Sequence, residues 1–357
     1  MYKIFIYSLL LIIGIIVSQT AYLAPYQSYL HFFTLTLLAY IMIEVGIEFD
    51  LNKKNLKSYG KDYLIAMTAA AFPWIFCSAY FFLFLDLTLQ QSALIGRFAA
   101  PTSTGLLFAM LMAAGLASTW VFKKVRILAI FDDLDTVLFI VPLQLIYIGL
   151  QPQIIFILLI TLLLLIVAYR YLHRVSLPTN KLYIFIYAVL LTGLVESLKA
   201  VDVLDLEILL PAFVLGCILK APHKKIDPPF AMKFDNSLKF IYMFLVGCSL
   251  AKISFGHISW MMLLFHVFML TIFANLGKLF PMFCYKKEVS LRERTALSVA
   301  MWPRGEVGAG ILMISTQYQL PPIALELAGL SLTLNLALSG AFIYLVIWLI
   351  KKPLKRT

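Results

Sequence analysis

Apolar runs long enough to cross a bilayer recur along the whole 357-residue chain, joined by short connections rich in lysine and arginine. A membrane-spanning helix needs about 20 predominantly apolar residues. Twelve segments meet this requirement, at roughly 4–24, 29–49, 62–86, 92–117, 126–149, 152–172, 182–199, 205–220, 236–251, 258–281, 293–316 and 322–350. The first also has the outline of a signal peptide, with Lys3 ahead of it and SQTAYLA at its end. Hydrophobic residues make up 62% of the chain and charged residues only 13%. A water-soluble domain of that composition would expose large apolar patches, so an all-α polytopic membrane protein is expected.

The basic residues orient it. If the helices alternate, 24 of the 29 lysines and arginines fall on one side, whereas the opposite loops hold Lys199 and Lys252. Arg97, Lys278 and Arg304 lie within spans. The positive-inside rule then puts both termini in the cytoplasm. The net charge of +11 is therefore an orientation signal and calls for no nucleic-acid partner. The longest polar connection, about Lys220 to Asn236, is too short for a domain, and no soluble regulatory domain is expected. Cys77, Cys217, Cys248 and Cys284 lack metal-ligand spacing and read as small core residues.

Within this apolar frame, IFDDLDTVLFIV (Ile130–Val141) carries three carboxylates, Asp132, Asp133 and Asp135. Each ionisable group at mid-bilayer costs about 2.5–3.5 kcal/mol on insertion scales. Asp132 follows Arg126 by a helical rise of about 9 Å, too deep for a short side chain to reach water. On a helix Asp132 and Asp135 share a face, while Asp133 points about 100° away from Asp132. A desolvated carboxylate can hold a proton near neutral pH, and its oxygens also suit a hard cation. Competition between the two at one acid is the minimal chemistry of an exchanger.

Two spans are interrupted. RFAAPTSTGLLFAMLMAAGL (Arg97–Leu116) places Pro101 and Gly105 around a Thr-Ser-Thr run. SVAMWPRGEVGAGILM (Ser298–Met313) carries Pro303, Arg304, Gly305 and Glu306. Gly/Pro-broken spans in corresponding positions of two halves point to a transporter built from inverted repeats. Lys278 lies in the tenth span and could form a charge pair with Asp133 that an incoming cation breaks.

These segments resemble the monovalent cation:proton antiporters, the sodium/hydrogen exchanger superfamily, and among them the bacterial sodium/proton antiporters with an Asp-Asp motif. APTSTGLLFAML followed by RILAIFDDLDTV is similar to the family's first broken helix and its paired-Asp helix, and WPRGEVGAG to its second broken helix. GIEFDL (Gly46–Leu51), PAFVLGCIL (Pro211–Leu219) and FLVGCSL (Phe244–Leu250) resemble weaker signatures. The resemblance implies about 12 transmembrane helices in inverted-topology repeats, with two discontinuous helices crossing. It implies an ion-binding core at approximately 62–149 and 258–350, moving against a dimerisation scaffold at approximately 1–49 and 182–251. Asp133 is then the ion and proton carrier and Asp132 its supporting acid, the two ligating the monovalent cation. Lys278 matches the lysine paired with the carrier, and Thr104 the threonine at the crossing. The expected protein is a homodimer in a bacterial inner membrane, exchanging Na⁺ or Li⁺ for H⁺, electrogenically, without a cofactor.

Three departures stand out. Gly105 occupies a position where some members carry an Asp; Glu306 is the candidate to take over that charge, with Arg304 balancing the opposed helix ends. Asp135 is an additional acid without a family role, one that could tune a neighbour's pKa or form a proton relay. The sequence ends at KKPLKRT without the nucleotide-binding domain of many potassium-efflux relatives. K⁺/H⁺ exchange on the same fold and a cation channel are the alternatives. An intramembrane protease would need acids facing each other from two helices, whereas these cluster on one. Glu44, Glu48 and Glu196 are further membrane acids, open to cation gathering, pH sensing or helix packing.

Overall fold

In the computed structural model the described residues are 2–20, 24–48, 56–103, 107–108, 111, 114–116, 118–139, 143, 152–200, 208–220, 229–249, 259–318 and 320–351. They form thirteen α-helices and no β-strand. The helices are α1 (Tyr2–Thr20), α2 (Gln27–Glu48), α3 (Leu56–Phe84), α4 (Leu89–Gly96), α5 (Trp120–Leu138), α6 (Pro152–Arg170), α7 (Lys181–Ala200), α8 (Leu209–Ile218), α9 (Pro229–Ser249), α10 (Trp260–Gly277), α11 (Leu291–Ala300), α12 (Glu306–Ser315) and α13 (Pro322–Lys351). Among the described residues, five segments, Gln27–Ile47, Tyr59–Phe84, Lys181–Lys199, Trp260–Phe283 and Pro322–Ile350, are each long and apolar enough to cross a bilayer alone. The eleventh expected span is two helices, α11 and α12. Of the fourth, α4 and the residues up to Ser103 are described, with a few positions beyond.

Several helices start earlier than the apolar runs do. Helix α3 begins at Leu56 rather than 62 and α9 at Pro229 rather than 236, so both include lysines within their first two turns. Apolarity marks where lipid begins, whereas the backbone ladder continues into the interface, where lysine stems lie along apolar surface and their heads reach water. Leu162, Leu163 and Ile166 on α6, Leu190 and Leu194 on α7, and Leu264, Phe265 and Phe268 on α10 are exposed. Such faces are stable only against hydrocarbon, and the protein is a multi-pass membrane protein.

The chain divides into two compact units. One comprises Met1–Ile12, Lys54–Thr136 and Leu250–Thr357, the other Ile13–Lys53 and Val137–Ser249. In the second unit, α2 packs against α7, α8 and α9. Helices α2 and α8 cross on two glycines. A Cβ at Gly46 would lie 2.2 Å from Phe213 O, and one at Gly216 would lie 2.1 Å from Ile43 O. Gly14 meets Phe244 O and Gly247 in the same way. The three weaker signature strings thus coincide with backbone-to-backbone contacts that only glycine allows.

Glu44 is engaged in the same unit. It pairs with Lys181, and its Oε2 lies 2.8 Å from Lys239 Nζ. Lys239 also binds Asp235 at 3.1 Å, and the Tyr40 hydroxyl lies between the two acids. The cluster ties α2, α7 and α9 together, which makes Glu44 a helix-packing acid. Glu196 lies within electrostatic range of His31. The side chain of Glu48 is outside the described residues.

In the first unit, α3 packs on α4 and α10, and α13 on α10, α11 and α12. At the lysine-rich end, Lys124 binds Asp62 at 3.0 Å and Lys61 binds Glu288 at 3.0 Å, both ammonium groups lying over the Tyr285 ring. Tyr285 donates to Asp62 at 2.7 Å, and burial together with this acceptor pushes its phenol well above the ordinary range. Helix α10 ends on Gly277 against Pro73 in the interior of α3, where a Cβ would stand 2.3 Å from the proline nitrogen. That approach sets the position of the next residue, Lys278.

Gly277→Ala must therefore displace backbone, at a cost of about 1–3 kcal/mol for overpacking. Gly193, in α7, has open space around it. A thermal melt in detergent should show Gly277→Ala lowered by several degrees and Gly193→Ala unchanged or raised, since alanine favours helix by about 1 kcal/mol over glycine.

Candidate ion-binding site

Both interrupted spans open with the same local device. Thr88 caps α4 by accepting from Gln91 N at 3.2 Å while Gln91 accepts from Thr88 N at 3.1 Å. Ser290 and Glu293 do the same for α11, at 3.4 and 3.2 Å. Each helix then runs only about half of a ~30 Å hydrocarbon core before it stops. Helix α4 tightens into a 3₁₀ turn, Arg97–Ala99, and leaves helical geometry at Pro101, which has no N–H to donate. Helix α11 ends at Ala300, and residues 302–305 are non-helical before α12 begins at Glu306.

The two breaks lie side by side. Ser103 N donates to Pro303 O at 2.8 Å, and Thr102 Oγ1 to Met301 O at 3.1 Å. Pro101, Thr102, Ser103, Pro303 and Arg304 are all buried. Stopping two helices inside a membrane frees carbonyls at their C-terminal ends and N–H groups beyond, all of which need partners.

Cationic side chains take the carbonyls. Arg304, fully buried, donates from Nε to Ala99 O at 2.9 Å and from Nη2 to Ala274 O at 2.6 Å. Its Nη1 reaches Trp302 O at 3.0 Å and Asn275 Oδ1 at 2.7 Å. Three separate chain segments thus end on one guanidinium, whose planar fork suits the task and whose charge complements their negative ends. Asn335 accepts from Arg304 N at 3.0 Å and donates to Asn275 Oδ1 at 2.8 Å. Lys278 Nζ covers Ala100 O at 2.5 Å.

A carboxylate takes the N–H side. Asp132 Oδ2 accepts from Thr102 N at 2.8 Å, and Oδ1 lies 2.5 Å from Lys278 Nζ. Its backbone carbonyl accepts from Thr136 Oγ1 at 2.7 Å. Asp132 and Lys278 are both fully buried, so the pair is dry. Lysine and the Asp-Asp string meet here, but on Asp132 and not on Asp133. The helix dictates this, because Asp132 faces the crossing and Asp133 is turned about 100° from it. Asp133 is also fully buried and acts electrostatically on Lys278. Asp135 is 2% exposed, and Tyr63 of α3 stands beside its carboxylate. Thr104 and Gly105 lie outside the described residues, as does the side chain of Glu306, whose backbone opens α12.

Three contributors escape the sequence, Asn275, Asn335 and Tyr63, whereas Thr102 belongs to the Thr-Ser-Thr run. The asparagines carry a readable signal, since an amide within an apolar span needs a partner. Thr102 contributes through its hydroxyl to Met301 O and through its backbone N–H to Asp132.

An all-helical membrane protein whose interrupted helices cross at buried charged groups has the sodium/proton antiporter fold. The chain belongs to the sodium/hydrogen exchanger family, whose transmembrane region matches residues 1–351. Its members are transporters of cations and protons. The chain is similar in fold to the sodium proton antiporter MjNhaP1 from Methanocaldococcus jannaschii, in a structure at pH 8, with 17% identity, a TM-score of 0.62, and coverage of 94% of this chain and 92% of that one. An electron-microscopy structure of MjNhaP1 matches with 16% identity and a TM-score of 0.58 over 97% of this chain and 92% of that one. Among curated proteins none matches the sequence.

The dry pair leads to a stability prediction. Removing one partner strands a buried charge, at about 3–5 kcal/mol, whereas replacing both with neutral groups is close to neutral. Lys278→Met should lower the melting temperature in detergent markedly. Adding Asp132→Asn should recover most of the loss, because the amide oxygen still accepts from Thr102.

Proposed function

We propose that the protein exchanges Na⁺ or Li⁺ for H⁺ by alternating access, with Asp133 as the group that carries either the metal ion or the proton. The observation that supports this reading is the fully buried carboxylate of Asp133, one residue from the Asp132–Lys278 pair at the crossing of the broken helices. Asp132 is held by Lys278 and Thr102, and Arg304 by helix-end carbonyls. Sodium as the cargo is supported by the family and by the similar antiporter. Asp133, with Asp132 as the neighbouring acid, supplies the oxygen ligands that a hard monovalent cation requires.

The unit that holds the crossing is the moving part and the other is the scaffold of a homodimer. The protein lies in a bacterial inner membrane with both termini in the cytoplasm, a reading supported by the one-sided lysines and arginines. Exchange is electrogenic, more than one proton crossing per cation.

Reconstitution into proteoliposomes with an internal pH dye tests these statements together. Na⁺ and Li⁺ should drive proton movement against a gradient, and Asp133→Asn should abolish it to the level of protein-free vesicles. Competition at one carboxylate makes the apparent KM for Na⁺ rise as pH falls, approaching about tenfold per pH unit once the proton dominates the site. Exchange retained in Asp133→Asn removes the mechanism, a response to K⁺ alone changes the cargo, and flux without counter-gradient accumulation makes the protein a channel. Clamping the potential with valinomycin should accelerate an electrogenic exchanger and leave an electroneutral one unaffected.

A further inference from the structure

Asp135 has no part in the exchange chemistry above, yet it is placed to act in it. Its Oδ2 is buried without a hydrogen-bond partner, and Tyr63 of α3 stands beside the carboxylate. A buried carboxylate oxygen lacking a donor is costly, and that cost is tolerated where the oxygen serves a second state.

Lys278 lacks an acceptor in one such state. A cation that takes Asp132 together with Asp133 must displace the ammonium from Asp132 Oδ1, which it approaches to 2.5 Å. A fully buried ammonium without a counter-charge is strongly unfavourable, so it must either lose its proton or find another acid. Asp135 lies on the same face of α5 as Asp132, one turn further on, with Cβ atoms about 5–6 Å apart. Both Asp132 and Lys278 act electrostatically on it. Lys278 is the C-cap of α10, followed by a turn and the 3₁₀ segment Phe280–Phe283, so its four-carbon stem springs from the end of a regular helix.

We propose that Asp135 is a second acceptor for the Lys278 ammonium: when the cation takes Asp132, the lysine crosses one helical turn to Asp135 Oδ2 and keeps its proton. This rests on the antiport reading and deepens it. Tyr63 is a positioning residue that orients the waiting carboxylate. The lysine is then a mobile counter-charge, so that the further proton of the electrogenic cycle comes off an acid of the FDDLD string and not off the lysine, and Asp135 keeps the displaced charge paired.

The test is a double-mutant cycle on the apparent KM for Na⁺ at fixed pH in proteoliposomes. Asp135→Asn should raise KM about tenfold with little change in maximal rate, and Asp135→Glu should restore it to within about twofold. In a Lys278→Gln background the added Asp135→Asn should change KM by less than about twofold, because the group that needed the second acceptor is gone. An equal KM change in both backgrounds, or none in either, overturns the proposal. Should Lys278→Gln fail to fold, Na⁺-dependent thermal stabilisation in detergent decides: it should need about tenfold more Na⁺ in Asp135→Asn than in wild type, and equal requirements overturn the proposal. Wild-type exchange and its loss in Asp133→Asn report on the antiport reading separately, so failure of either idea is recognisable.

Discussion

A backbone that stops being helical inside hydrocarbon must find a partner for every carbonyl and N–H it releases, and that requirement organises the first unit. Two such stops are placed side by side, and their own backbones satisfy part of the need through Ser103 and Pro303. Ionised side chains satisfy the rest, with Arg304 and Lys278 on carbonyls and Asp132 on the Thr102 N–H. Charges that would be expensive in lipid are stable here because each answers a backbone group or an opposite charge. The polar centre and the broken helices are therefore one construction, and neither would persist without the other.

That construction separates the roles of neighbouring acids. Asp132 and Asp133 are adjacent in sequence, but Asp132 turns towards the crossing and pairs with Lys278 there, while Asp133 points about 100° away from it. Asp135 returns to the face of Asp132 and meets α3 through Tyr63. Three acids in four residues are thus three environments, distinguished by helical rotation alone.

The second unit uses ions and glycines differently. Gly46 against Gly216 and Gly14 against Gly247 bring backbones within contact distance, where van der Waals packing replaces the hydrophobic drive that lipid cannot supply. The cluster of Glu44, Asp235, Lys181, Lys239 and Tyr40 joins three helices where lysine stems can reach water. Here charges brace helices; in the first unit they stand where helices are broken.

By itself the sequence determined the membrane class, the helical architecture and the two interruptions. Each of these follows from local properties: the length of an apolar run, the missing N–H of Pro101 and Pro303, the cost of Asp132, Asp133 and Asp135 in hydrocarbon. Even the capping boxes at Thr88 and Ser290 were there to be read. Only the tertiary structure decided that Lys278 holds Asp132, that Arg304 gathers three chain segments, and that Tyr63, Asn275 and Asn335 belong to the same centre. Those outcomes depend on how helices distant in sequence rotate and approach one another. That approach is set by close contacts such as Gly277 on Pro73, which no local pattern announces.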